Sequence, residues 1–205
     1  MDASYPLLVV LELIPPNPQD LTSTYLIKNA SVATVDAGSA LLTQIACSLL
    51  EAYQQYQLAL VEVIKLLELN LTVIGEESKE DALWDVLLQI RADVSYWKTE
   101  KEDLEAAFSC AERSLEAAAE AAHIAGATYA GMAASERLFS AKARLREARD
   151  KVEESESVLR KLEVETIEKT IDHQKKEEAK KVAARKENTV IEEELTQDES
   201  DHSPS

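Results

Sequence analysis

The side chains best equipped for chemistry in this chain are few. There are three histidines, His123, His173 and His202, and two cysteines, Cys47 and Cys110. Glu120-Ala-Ala-His123 has the Glu-x-x-His spacing that puts a carboxylate and an imidazole on one face of a helix, as helical di-metal proteins do. Such a centre needs a second pair of this kind on a facing helix and two further acids. The other match, Glu199-Ser-Asp-His202, falls in a charged terminal tail. His123 therefore reads as a bundle residue and not as a ligand. Neither cysteine has a base or a metal-ligand partner at a useful spacing, and two thiols in a chain this long make no disulfide framework. No Gly-rich phosphate loop or nucleophile elbow is present. The expectation is no catalytic residue, no metal and no cofactor: a protein that binds, not an enzyme.

The bulk numbers bound what it binds. The 205 residues carry a formal net charge of −17, with a pI near 4.6. Nucleic acid and anionic membrane surfaces call for a basic footprint, so neither is expected as a partner. No run reaches the roughly 18–20 consecutive apolar residues of a membrane-spanning helix. Four glycines, five prolines and 30% charged residues describe a chain that is mostly long helix.

Three segments carry the periodicity that would position any site. The first, from about Asp36 to Val73, steps through Leu42, Ile45, Leu49, Ala52, Tyr56, Leu60, Val63, Leu67 and Leu71. The second, from about Lys79 to Ala125, steps through Leu83, Leu87, Ile90, Val94 and Trp97, and resumes at Leu104, Phe108, Ala111, Leu115 and Ala118. The third begins near Ala127 and runs through Leu138, Leu145, Val152, Leu159 and Leu162. Alternating three- and four-residue steps mark the seams of helices packed along one another. Gly75 can take the left-handed conformation that ends a helix, with Ser78 as the next N-cap. Gly126 marks the second turn. A helical piece from Asp20 to about Thr34 should be kinked from, or separated from, the first segment at Asp36-Ala-Gly38-Ser. The alanines of 117–134 allow close helix approach. The predicted fold is all-α: an elongated, antiparallel, spectrin-like three-helix bundle over residues 21–187. An irregular segment, 1–20, precedes it and an acidic disordered tail, 188–205, follows.

Three stretches, in order, resemble the Smac/Diablo family, mitochondrial antagonists of inhibitor-of-apoptosis proteins. EESKEDALWDVLLQIRADV is similar to the family's acidic cluster leading into a helix with an early Trp and then Arg-Ala-acid, here Trp84 and Arg91-Ala92-Asp93. AEAAHIAGATYA resembles its Ala-Glu-Ala-Ala, aromatic, x-x-Gly-Ala signature, with His123 in place of the aromatic and Gly126 kept. SLLEAYQQY resembles its first-helix segment. Together they cover about Leu26 to Ile171.

The resemblance implies an arc-shaped homodimer that holds no cofactor. It implies storage in the mitochondrial intermembrane space, release to the cytosol in apoptosis, and relief of caspase inhibition through baculoviral-repeat (BIR) domains. It places dimer contacts at Leu41, where the family carries Phe, and at Leu42 and Ile45. The family's recognition element is a processed N-terminal Ala-Val-Pro-Ile. No such tetrapeptide is found in MDASYPLLVVLELIPPNPQD; Ala3-Ser-Tyr-Pro6 puts Pro fourth, not third. Nor is a basic presequence seen there, so the cytosol is the alternative location. The alternative function is a helical scaffold or isoform that kept the bundle and lost the binding hook.

Overall fold

The computed structural model describes the backbone of residues 22–75 and 77–200, and the side chains of 22–75 and 82–183. The described chain forms three helices, α1 (Ser23–Val73), α2 (Glu77–Ile124) and α3 (Thr128–Ser200), with no strand among the described residues. The chain is an all-α helical bundle, as the periodicity predicts. The expected irregular segment, residues 1–20, lies outside the described residues.

The chain packs as two compact units. One holds the chain up to Cys47 together with Ala106–Ala143; the other holds Ser48–Glu105 together with Arg144 onward. All three helices contribute to each.

In the first unit the core is built from small residues. Val35, Leu42, Ala46, Phe108, Leu115 and Leu138 are buried, and so are Ala111, Ala118, Ala122 and Ala134. Alanines let the backbones close up. A Cβ built on Gly131 of α3 would lie 2.9 Å from the carbonyl oxygen of Ala119 on α2.

The α2–α3 connection is a Schellman turn. The Ala127 N–H donates to the carbonyl of Ala122 at 2.7 Å, and Gly126 N–H to His123 O at 3.0 Å. Gly126 takes φ +77°, the left-handed state that a residue with a Cβ enters at a cost. Ala122 and Ala127 are both buried, the apolar contact that accompanies this motif. The Ala127 carbonyl then accepts from Ala130 N–H, so one residue closes α2 and opens α3.

In the second unit the core is larger-grained: Leu49, Tyr53, Tyr56, Leu60, Leu145 and Val152 are buried. Val63, Leu67 and Leu87 form a cluster against which Ile90, Val94, Leu159 and Leu162 pack. The contacts fix the helix directions. Glu105 of α2 meets Arg149 of α3 and Arg91 meets Glu163, so α2 and α3 run antiparallel. Tyr56 meets Glu156 and Gly75 lies against His173, so α1 and α3 run the same way. Gly75 takes φ +97° and ends α1 as the sequence predicts.

Two sequence expectations need correction. No kink or break separates a short helix from the first long one: α1 is continuous through Asp36 and Ser39. Gly38 is helical, and the room left by its missing Cβ is taken by Leu115, whose Cδ1 would stand 3.3 Å from such an atom. Close approach, not chain reversal, is its role. The cap at the start of α1 is Thr22, whose Oγ1 accepts from Tyr25 N–H at 3.4 Å. Ser78 does not precede α2; the helix already includes Glu77. At its other end α3 extends to Ser200. No glycine or proline occurs between Gly131 and Pro204, and Glu, Lys, Leu and Gln propagate a helix well.

By length and composition α1 contains a window apolar enough to cross a membrane, with mean hydropathy 1.3. It has no unbroken apolar run, and its buried stripe of Leu42, Leu49, Tyr53 and Leu60 lies in the protein's own core.

Candidate functional site

Two surfaces of the first unit, and one polar layer of the second, carry the groups that could work. The first surface lies at the predicted dimer contacts on α1. Leu41 is 53% exposed, Leu42 only 1% exposed and Ile45 half-buried. Successive helical residues point about 100° apart, so neighbours in sequence part company. Leu42 belongs to the core stripe with Val35, Ala46 and Leu49 and offers no free surface in the protomer. Leu41, together with the exposed edge of Ile45, is what remains available to a partner. Two residues before Leu41, Ser39 is buried, and its Oγ has no hydrogen-bond partner.

The second surface was not legible as a site in the sequence. Glu116, Glu120 and His123 of α2 face Thr128, Met132 and Glu136 of α3 across a groove of about 560 Å³. Its floor is Ala119, Gly131 and Ser135, small residues that bring the helices close. Met132 is 60% exposed and Phe139, two turns further along α3, is 77% exposed. A signal existed: Leu138 is a seam residue, so an aromatic directly after it lies off the seam. Glu120 and His123 do share a face, as their spacing requires. Among the described residues no three His, Cys, Asp or Glu side chains converge to hold a metal ion. Cys47 and Cys110 are both exposed and free, and Arg113 donates to the Cys110 sulfur at 3.3 Å.

The polar layer ties the three helices of the second unit. The buried Tyr53 of α1 donates its hydroxyl proton to Glu105 of α2 and accepts from Nε of Arg149 of α3 at 3.2 Å. Tyr56 donates to Glu156 of α3 at 2.9 Å. The Lys101 ammonium lies over both rings, 5.9 and 5.6 Å from their centroids, where the ring quadrupole attracts a cation. Burial, followed by the hydrogen bond to Glu105, pushes the Tyr53 phenol up to about 12. Burial and the bond to Glu156 push Tyr56 up as well. Both phenols are held in the neutral form at neutral pH. The layer fixes the register of three helices and leaves no reactive group free.

A further apolar recess in the second unit, about 410 Å³, is lined by Ile74, Trp84, Ile167 and Ile171. The two surfaces and this recess are open to solvent, whereas the two tyrosines of the polar layer are buried between the helices.

The sequence model of the family described as Second Mitochondria-derived Activator of Caspases matches residues 13–198. The chain is 28% identical over 157 residues to "Diablo homolog, mitochondrial" of Xenopus laevis, covering 76% of this chain and 64% of that protein. It is 28% identical over 144 residues to "Diablo IAP-binding mitochondrial protein" of Homo sapiens, covering 69% of this chain and 60% of that protein. The match thus spans somewhat less than two thirds of these relatives. A family match over residues 13–198, which takes in nearly all of the three helices, places this chain in the Smac/Diablo family.

Proposed function

We propose that this protein is a non-catalytic, pro-apoptotic regulator that binds inhibitor-of-apoptosis proteins and relieves their restraint on caspases. The observation that carries this reading is the family match over residues 13–198, which takes in nearly all of the described bundle. One relative's name states that it binds inhibitor-of-apoptosis proteins, and the names of the relatives place them in mitochondria. The same location, the intermembrane space with release to the cytosol, is proposed here. The protein works as a homodimer through a face that includes Leu41, with Ile45 at its edge. Leu41 is large, apolar and exposed, which supports that assignment. Two copies of the chain in one particle raise avidity for a target with two repeats without new contacts.

The decisive experiment adds the 1–205 chain to a caspase held inactive by a full-length inhibitor-of-apoptosis protein. Dose-dependent return of caspase activity is expected. No return at a large molar excess would overturn the reading. Titration against an isolated baculoviral repeat should give weak binding, because residues 1–20 contain no Ala-Val-Pro-Ile. Submicromolar affinity would contradict that part. The same sequence feature favours a second reading, a helical scaffold that kept the bundle and lost this partner. Deleting residues 1–20 separates the two: continued association of the remaining bundle with the full-length inhibitor in cells excludes the scaffold.

A further inference from the structure

The geometry points to the α2–α3 groove of the first unit as a docking site for a basic amphipathic helix from another protein.

The groove has the shape for a helix. Its floor of Ala119, Gly131 and Ser135 carries almost no side-chain bulk, so a third helix can approach the α2 and α3 backbones closely. From Thr128 to Glu136 it extends about two helical turns, about 12 Å. Met132 stands exposed in its α3 wall, and Phe139, two turns further along α3 and outside the groove's lining, continues an apolar ridge of the kind a partner helix covers with residues at i, i+3, i+4 and i+7. One turn beyond, Lys142 of α3 pairs with Glu112 of α2 and closes that end.

The rim decides the occupant. Glu116 and Glu120 line the α2 side and Glu136 the α3 side. All three are exposed, and none forms an ion pair among the described residues. No Lys or Arg lines the groove. An apolar floor between two carboxylate rims is complementary to a helix with an apolar stripe flanked by Lys or Arg. A second copy of this chain is a poor fit through its Leu41 face, since no Lys or Arg lies between Lys28 and Lys65 to meet the rim. The chain's own residues 1–21 are apolar enough, yet they contain Asp2, Glu12 and Asp20 and no Lys, Arg or His, so like charges would meet at the rim.

The test uses the full chain and a synthetic 14-residue helical peptide with Leu at the seam positions and Lys elsewhere. A twin peptide has Glu in place of Lys. Fluorescence anisotropy should show the Lys peptide binding, with affinity falling as salt rises, and the Glu peptide not binding. Met132→Asp with Phe139→Asp should weaken binding at least about tenfold, the loss expected when central apolar anchors go. Glu116→Gln, Glu120→Gln and Glu136→Gln together should weaken it about fivefold or more. The control is Glu51→Gln, Glu62→Gln and Glu68→Gln, three exposed positions on α1 with the same change of net charge. It should leave affinity within about twofold. Circular dichroism melting of each variant confirms the fold, since every substituted side chain is exposed. Equal weakening by the control triple would show that net charge alone drives binding and would overturn the proposal. So would binding of the Glu peptide, or absence of any binding. A lowered sedimentation mass for the Met132/Phe139 variant, with peptide affinity unchanged, would overturn it in favour of a second copy as occupant.

Discussion

The hydroxyl oxygen of Tyr53 accepts a hydrogen bond from Nε of Arg149 at 3.2 Å, across 96 positions of sequence, while its proton goes to Glu105 on the intervening helix. One phenol thus links α1, α2 and α3. Tyr53→Phe should keep the ring packing and lose both bonds. Bonds to charged partners contribute about 1.5–3 kcal/mol each in favourable cases. Because Glu105 and Arg149 stay within 3.6 Å of each other, the net loss should be nearer 1–2 kcal/mol. Urea unfolding measures it; an unchanged midpoint would refute the link.

The same burial sets an alkaline limit. A folded-state phenol raised to about 12, above its ordinary value near 10, favours the neutral form in the folded protein. Its stabilising contribution is complete below about pH 10 and is lost as pH climbs through about 12. Tyr56 is raised too and acts in the same direction. The urea midpoint should therefore fall between pH 9.5 and 11.5, and the Tyr53→Phe, Tyr56→Phe double variant should show a flatter profile. A parallel profile would assign the alkaline loss to other groups.

Two helical glycines should respond oppositely to alanine. Alanine favours a helix interior over glycine by about 1 kcal/mol. At Gly38 the new methyl meets the flexible tip of Leu115 at 3.3 Å, so Gly38→Ala should be neutral or mildly stabilising. At Gly131 it meets the Ala119 carbonyl at 2.9 Å, and backbone cannot step aside cheaply. Gly131→Ala should cost about 1–3 kcal/mol, the usual range for overpacking. Thermal melts that rank the two variants the other way would sink this account.

Ser39 is buried with an unbonded hydroxyl. Ser39→Ala removes a polar group that has lost its water and improves helix propensity. It should raise stability by about 1 kcal/mol. A drop in the melting temperature would mean that the hydroxyl has a partner after all.

Leu41 and Leu42 should separate association from folding. Leu42→Ala opens a cavity beneath a residue 1% exposed and should cost about 2–5 kcal/mol. Leu41→Asp should leave the melting curve of the protomer nearly unchanged and halve the mass seen in sedimentation. An unchanged mass would refute the dimer assignment.

The sequence by itself determined the three helices and both turns between them. Three- and four-residue spacing is a property of the helix alone, and Gly75 and Gly126 carry the two left-handed positions in their own lack of a Cβ. Short stretches with Trp84, Arg91-Ala92-Asp93 and Gly126 were also enough to point to the family. Tertiary structure decided what each residue does once the seams are closed. Gly38 reads locally as a break, yet packing against Leu115 makes it a contact. Leu41 and Leu42 look interchangeable along the chain, but a 100° turn sends one to solvent and the other into the core. The residues that meet at Tyr53, and the carboxylates that gather beside Met132, lie on different helices. Their meeting depends on register between helices, which local periodicity does not contain.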